Sequence, residues 1–181
     1  MRSINTVMAL CAVTVMLSAC AMAERAMPGM TLSDANVLGV LNTIDAGEME
    51  AAQLAKEKAS SEDVRAYASR IVNDHITSMQ ETRQLGQRMG VQADKPQLAS
   101  SLEKTHREAM DQLRQKSGKD FDKAYVQYQI RMHEQAVNLV EDTADSAKHS
   151  RLREHLRQLR PDLQSHLSAA RTLERQLVAK G

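Results

Sequence analysis

Apolar residues recur every three to four positions in five separate segments of this chain, which is the spacing of one face of an α-helix. The first two segments cover residues 33–59 and 60–90, and a shorter third segment ends at Gly118. A fourth segment follows, and the last begins near Ser150. The strict alternation of apolar and polar residues that is typical of strands is not apparent, and neither is a repeat of fixed period. The pattern therefore predicts an all-α fold.

Punctuating residues indicate where these helices begin and end. Ser60, with Asp63 three residues later, predicts the start of the second helix, and Gly90 predicts its end. The segment Val91–Pro96 is expected to be a loop, and Pro161 predicts a kink or a restart early in the last helix. We therefore expect an antiparallel four-helix bundle with one extra short helix in the central connection.

Composition limits the number of domains and the kinds of partner. The chain has three Tyr, one Phe, no Trp and three Pro, which is typical of a helical bundle. Its 24 Lys and Arg face 23 Asp and Glu, and removal of residues 1–19 would take away Arg2 alone, leaving a formally neutral protein. We therefore expect a single domain that does not bind nucleic acid.

The N-terminus predicts export. After Arg2, an apolar run too short to span a bilayer ends in Leu17-Ser18-Ala19-Cys20, which resembles the bacterial lipobox. Residues 1–19 would then be a signal peptide, Cys20 would receive lipid, residues 20–32 would form a flexible tether and residues 33–181 the helical domain. Because Ala21 is not aspartate, the resemblance to Gram-negative sorting favours the periplasmic side of the outer membrane. Alternatively, cleavage after Ala23 would release a soluble periplasmic or secreted protein.

Each long helix carries a polar residue on its apolar face or at the margin of that face. Residues that are level in an antiparallel hairpin lie equally far from its turn, and Glu48 and His75 have their midpoint near Ser60, where the first turn is predicted. His133 and His166 have theirs near the second predicted turn. Both pairs would lie about 20 Å from their turns. The spacing therefore predicts one polar layer across the bundle.

This layer allows two interpretations. The simpler one is a structural network in which Glu48 and the three histidines satisfy one another, nearby tyrosines or buried water. In the other, Glu48, His75, His133 and His166 ligate a divalent transition metal such as zinc, copper or iron, and Asp74 orients the rings from behind.

Catalytic signatures are scarce in the sequence. No phosphate-binding loop or nucleophile elbow appears, and the di-iron pattern of paired Glu-x-x-His motifs is reduced to Glu103 and His106. We therefore expect a non-catalytic protein, with a metal-dependent oxidase or metal-storage protein as the alternative.

A third possibility is a stress-response protein that binds an envelope partner or lipid. From Lys148 to Gly181 the chain has eight Lys or Arg against three Asp or Glu, so the last helix is basic. It could lie against anionic headgroups, but we expect it to pair with the acidic first helix. The sequence predicts no oligomeric state.

The chain resembles the bacterial domain-of-unknown-function family numbered 4142, a ferritin-like group of secreted or envelope proteins. The resemblance rests on four segments: Glu48-Met49-Glu50-Ala51-Ala52-Gln53-Leu54-Ala55, Val64-Arg65-Ala66-Tyr67-Ala68 leading to Asp74-His75, Phe121-Asp122-Lys123-Ala124-Tyr125 with His133, and Pro161-Asp162-Leu163 with His166. It implies a ferritin-like bundle without an assigned activity. It also implies that Asp122 stands at a motif position, as a candidate second carboxylate behind the metal ligands.

Overall fold

The computed structural model describes residues 32–179, so Cys20 and the predicted signal peptide and tether up to residue 31 lie outside the described part. Five helices follow one another: α1 (Asp34–Lys58), α2 (Glu62–Met89), α3 (Gln97–Gln115), α4 (Gly118–Thr143) and α5 (Ser150–Ala179). Residues 32–179 contain no strand, which confirms the predicted all-α class.

The long helices form two antiparallel hairpins, α1 with α2 and α4 with α5, each joined by a short turn. The hairpins dock with α1 against α4 and α2 against α5, and α3 lies against α1 and α4. This arrangement confirms a four-helix bundle with a shorter helix in its central connection. Among the five helices described, none is both long and apolar enough to cross a bilayer.

Helix boundaries agree with the sequence signals except at three places. Gly118 does not end α3, which stops at Gln115, but is the first residue of α4, with φ 56°. Gly90 ends α2 in the left-handed conformation, with φ 66°, as its lack of a side chain allows. Ser60 does not begin α2, because Ser61 occupies the N-cap and the Ser60 hydroxyl donates instead to Asp122 Oδ2. Pro161 lies inside α5, which continues across it, so the predicted restart is wrong.

The two hairpins carry matching contacts, which the sequence did not reveal as a repeat. Asp122 at the start of α4 accepts the backbone N–H groups of Ser60 and Ser61 in the α1–α2 turn. Asp34 at the start of α1 accepts those of the two residues that precede α5. The two aspartates are 88 residues apart, from 34 to 122. Each carboxylate therefore fixes the beginning of one hairpin to the turn of the other.

A second pair of matching residues has the same separation. The Arg65 guanidinium donates to the carbonyl oxygens of Ala59 and Ser60, and the Arg153 guanidinium donates to those of Ala147 and its neighbour Lys148. From 65 to 153 is again 88 residues. The two hairpins therefore share matching contacts at one offset, although no fixed-period repeat is apparent in the sequence.

The core consists of two apolar clusters with the polar layer between them. In α1 one cluster ends at Ile44 and the other begins at Ala51, and in α4 the corresponding residues are Met132 and Ala136. The predicted polar residues of α1 and α4 fall in these gaps. Apolar packing on both sides therefore shields the layer from solvent.

The basic α5 packs mainly against α4 and α2, so the predicted pairing with acidic α1 is wrong. The reason is that α4 and the turn after it contain the acidic residues that pair with the arginines of α5. The ion pairs are Arg157 with Asp145, Arg160 with Glu141 and Arg171 with Glu134.

Candidate metal centre

Three histidines from three helices meet in the middle of the bundle. His75 of α2, His133 of α4 and His166 of α5 are all buried, and each places one ring nitrogen within 4.8 Å of the others. Their ring centroids are 5.2 to 5.6 Å apart. The three histidines predicted to be level are therefore brought together.

Each ring also has one nitrogen that contacts an oxygen acceptor away from the cluster. His75 Nδ1 lies 2.8 Å from Asp45 Oδ1, and His133 Nδ1 lies 2.9 Å from the backbone carbonyl oxygen of Gln129. His166 Nε2 lies 2.8 Å from Asp74 Oδ2. Carbonyl and carboxylate oxygens only accept, so these outer nitrogens carry the hydrogens. In the neutral rings the inner nitrogens, Nε2 of His75 and His133 and Nδ1 of His166, hold the lone pairs.

Two of the inner nitrogens nearly touch. His133 Nε2 and His166 Nδ1 are 3.2 Å apart, but neither ring has a second hydrogen to place between them while it is neutral. The third inner nitrogen, His75 Nε2, is buried without a hydrogen-bond partner among the described residues. While all three rings are neutral, three buried nitrogens thus face one another without the donor that a hydrogen-bond network requires.

The electrostatics favour neutral rings at two of the three positions. Burial, together with the charge that His75 can carry, lowers the pKa of His133 to about 3. Burial also lowers the pKa of His166, against the hydrogen bond to Asp74. Burial acts in the same direction on His75, but the hydrogen bond to Asp45 and the charge of Glu48 outweigh it and raise its pKa. At neutral pH, His133 and His166 are therefore neutral, and each can donate a lone pair to a metal ion.

The carboxylates behind the rings are themselves held in place. Asp45 accepts a hydrogen bond from the Ser78 hydroxyl at 3.1 Å, and Asp74 accepts one from Arg70 Nε at 3.2 Å. Burial would raise the pKa of Asp74, but its hydrogen bonds with His166 and Arg70 hold it below its ordinary value. The orientation of two rings is therefore fixed by carboxyl groups that are themselves hydrogen-bonded.

Glu48 lies in the same layer but is not one of the three converging groups. Its side chain is buried, with Oε1 3.8 Å from His133 Nδ1, and neither carboxylate oxygen has a hydrogen-bond partner. Burial raises the pKa of Glu48 to about 7, although the charge of His75 and the nearby Gln129 amide oppose the shift. The hydroxyl of Tyr125 and the side-chain nitrogen of Gln129 are also unpartnered.

Two residues singled out from the sequence lie elsewhere. Asp122, the candidate second carboxylate, uses both oxygens on Ser60 and Ser61, so it joins the hairpins and does not orient a histidine. His106 contacts Glu50 at 3.0 Å and the Tyr128 hydroxyl at 2.9 Å, which fastens α3 to α1 and α4. The lone Glu-x-x-His motif therefore belongs to a packing contact.

Sequence reasoning missed Asp45, the partner of His75. A signal for it existed, because Asp45 precedes Glu48 by three residues on the same helical face and its midpoint with His75 falls at Ser60. No sequence signal identified the Gln129 carbonyl as the acceptor for His133, because that contact depends on the orientation of the His133 ring.

Comparison with known proteins identifies the family without adding an activity. The comparison with curated proteins found no match, and neither did the comparison with solved structures. A family model described as "Domain of unknown function (DUF4142)" matches residues 19–173. Because this match covers most of the chain, the protein belongs to the DUF4142 family.

Proposed function

We propose that this protein is a non-catalytic metal-binding protein of the bacterial envelope, which holds one divalent transition-metal ion among His75, His133 and His166. The observation that supports this most strongly is the orientation of the rings. Each outer nitrogen donates to a fixed acceptor, so in the neutral rings three lone pairs converge in a buried space.

The arrangement of acceptors is typical of histidines that ligate metals. Such rings usually donate their other N–H to a carboxylate or a backbone carbonyl, which sets the tautomer and raises the basicity of the ligating nitrogen. Here Asp45, Asp74 and the Gln129 carbonyl take these roles. The 3.2 Å separation of His133 Nε2 and His166 Nδ1 is close to the roughly 3.3 Å edge of a tetrahedron of nitrogen ligands around zinc.

The type of donor narrows the choice of metal. Imidazole nitrogens suit zinc, copper, nickel and iron, whereas calcium and magnesium prefer oxygen. Zinc is the first candidate, because it accepts three histidines in a tetrahedral site without redox chemistry. The rings are almost fully buried, so a bound ion would be enclosed by the helices.

A purely structural network explains the same residues less well. Such a network needs a donor for every acceptor, and the His133–His166 contact has none while both rings are neutral. A ferritin-type oxidase is also less well supported. The carboxylates of Asp45 and Asp74 contact outer nitrogens, so neither is placed to bridge two metal ions.

Metal analysis of the protein purified without a histidine tag tests this proposal. We expect about one zinc, copper or iron ion per chain by mass spectrometry, and loss of that ion in a variant carrying His75→Gln and His166→Gln. The matched control is His149→Gln, because His149 is half-exposed at the α4–α5 turn. Wild-type protein that stays free of metal after incubation with these ions would refute the proposal.

The location in the envelope is a separate part of the proposal, supported by the lipobox-like Leu17-Ser18-Ala19-Cys20 segment. In Gram-negative cells we expect radiolabelled palmitate to enter the protein and to be absent from Cys20→Ser. An unlabelled, soluble product that begins at Glu24 would instead support cleavage after Ala23.

A further inference from the structure

We infer that Glu48 is the fourth ligand of the proposed metal ion and closes the site with one negatively charged oxygen. The inference rests on the metal centre proposed above and names its remaining ligand. A site of three histidines and one glutamate has no coordination position left for substrate, which agrees with a holding role.

Glu48 is the one carboxylate in the layer whose oxygens are both free of hydrogen bonds in the described structure. Burial of a carboxylate without a partner is costly, so such groups normally pair with a cation or coordinate a metal. Asp45 and Asp74 do not have this deficit, since each accepts from a histidine and from a second residue. The unsatisfied carboxyl group and the three inner nitrogens therefore lie in one buried layer.

Charge balance gives a second, independent reason. Three neutral imidazoles leave the full charge of a divalent ion within the apolar core. Asp45 is buried beside His75 and offsets part of that charge, whereas the negative charge of Asp74 is shared with Arg70 on the half-exposed edge of the site. Glu48 can offset the remainder, because it is fully buried and no Lys or Arg ion pair involves it among the described residues.

The position of Glu48 also fits. It belongs to α1, the one long helix that supplies no histidine, so all four long helices would contribute a ligand. Oε1 lies 3.8 Å from Nδ1 of His133, the outer nitrogen of that ring, so the carboxylate would reach the inner nitrogens by rotation about its side-chain bonds, without movement of the backbone. The resulting oxygen donor favours divalent ions such as zinc or iron(II) over the softer copper(I).

The test compares Glu48→Gln with the wild-type protein. Glutamine keeps the size of the side chain and removes the charge, and far-UV circular dichroism checks that the helices persist. We expect Glu48→Gln to weaken zinc binding, measured by competition with a chromophoric chelator, by at least about 10–100-fold. The visible spectrum of bound cobalt(II) should also change. Glu57→Gln, an exposed site on the same helix, is the control and should change neither.

The outcomes separate this inference from the proposed function. If Glu48→Gln binds zinc as tightly as wild type while the histidine variant does not bind, the metal centre stands and the role of Glu48 is refuted. If Glu48→Gln does not fold, the infrared difference spectrum between zinc-loaded and zinc-free wild-type protein decides. Shifted carboxylate stretching bands support ligation, and unchanged bands overturn it.

Discussion

His133 Nε2 lies 3.2 Å from His166 Nδ1, and this contact has a counterpart 88 residues earlier in the chain. At the corresponding positions of the first hairpin, the Ser78 hydroxyl donates to Asp45 Oδ2 at 3.1 Å. Each hairpin thus connects its own two helices through an equivalent pair of residues. The contact in the first hairpin is an ordinary hydrogen bond. The contact in the second hairpin has no hydrogen between the two nitrogens while both rings are neutral. A metal cation bound by both nitrogens would take the place of that hydrogen.

Zinc should stabilise the folded protein, since the converging lone pairs exist only in the folded state. At a free zinc concentration of about 100 times Kd, the free energy of unfolding should rise by about 2.7 kcal/mol. For a domain of this size the Tm should increase by roughly 5–10 °C in scanning calorimetry. An equal increase in the variant with His75→Gln and His166→Gln would show that zinc acts elsewhere.

Asp45→Asn should weaken metal binding although Asp45 is not proposed as a ligand. The substitution removes the carboxylate that accepts from His75 Nδ1, so the ring loses its fixed orientation and part of its basicity. We expect about 10–100-fold weaker zinc binding by chelator competition. Asp111→Asn, on the exposed side of α3, should bind zinc like wild type. Unchanged affinity in Asp45→Asn would mean that the His75 ring does not take part.

Asp34→Asn should lower stability in a manner that depends on pH. Burial would raise the pKa of Asp34, but its hydrogen bonds to His149 and Lys148 outweigh burial and hold the pKa below its ordinary value. A carboxylate with a depressed pKa stabilises the fold above the pKa of the unfolded chain, and this contribution disappears as the pH falls through the lower, folded value. At pH 7 the variant should be less stable by about 1.5–3 kcal/mol in denaturant unfolding.

Below about pH 4 the stability difference between wild type and Asp34→Asn should shrink. Asp145→Asn is the control, because Asp145 is almost fully exposed and pairs with Arg157 at the surface. A difference that stays constant or widens in acid would contradict the role given to the Asp34 carboxylate.

Gly39→Ala should destabilise the protein although alanine is the better helix former. A Cβ at position 39 would lie 1.6 Å from the carbonyl oxygen of Asp94, whose backbone N–H donates to Ala35 of the same helix. The loop between α2 and α3 would have to move, at a cost of roughly 1–3 kcal/mol or more. Chemical denaturation measures this loss, with the exposed Gln53→Ala as control. A Gly39→Ala protein as stable as wild type would show that the loop is not packed so closely.

Much of the fold follows from local patterns. Apolar periodicity identified all five helices, because each helix must bury one face. The first residue of α2 was misjudged because Ser60 and Ser61 have the same local preference, and the distant Asp122 decides between them. The matching contacts of the two hairpins could not be predicted, because few residues are identical at the 88-residue offset. Asp34 and Asp122 are one such identical pair of positions, and Arg65 and Arg153 are another.

The sequence predicted which histidines meet in the polar layer, because in a hairpin the distance of a residue from the turn fixes its position along the bundle axis. Which nitrogen of each ring points inward was not predictable. That choice depends on acceptors such as Asp45, 30 residues away from His75, and Asp74, 92 residues away from His166. The chemistry of the site therefore required the side-chain contacts.

An anomalous difference map at the zinc absorption edge, from crystals of the zinc-loaded protein, tests the central claim most directly. The account predicts one strong peak among Nε2 of His75, Nε2 of His133 and Nδ1 of His166. No peak in the bundle core, or peaks confined to surface residues such as His149, would contradict it.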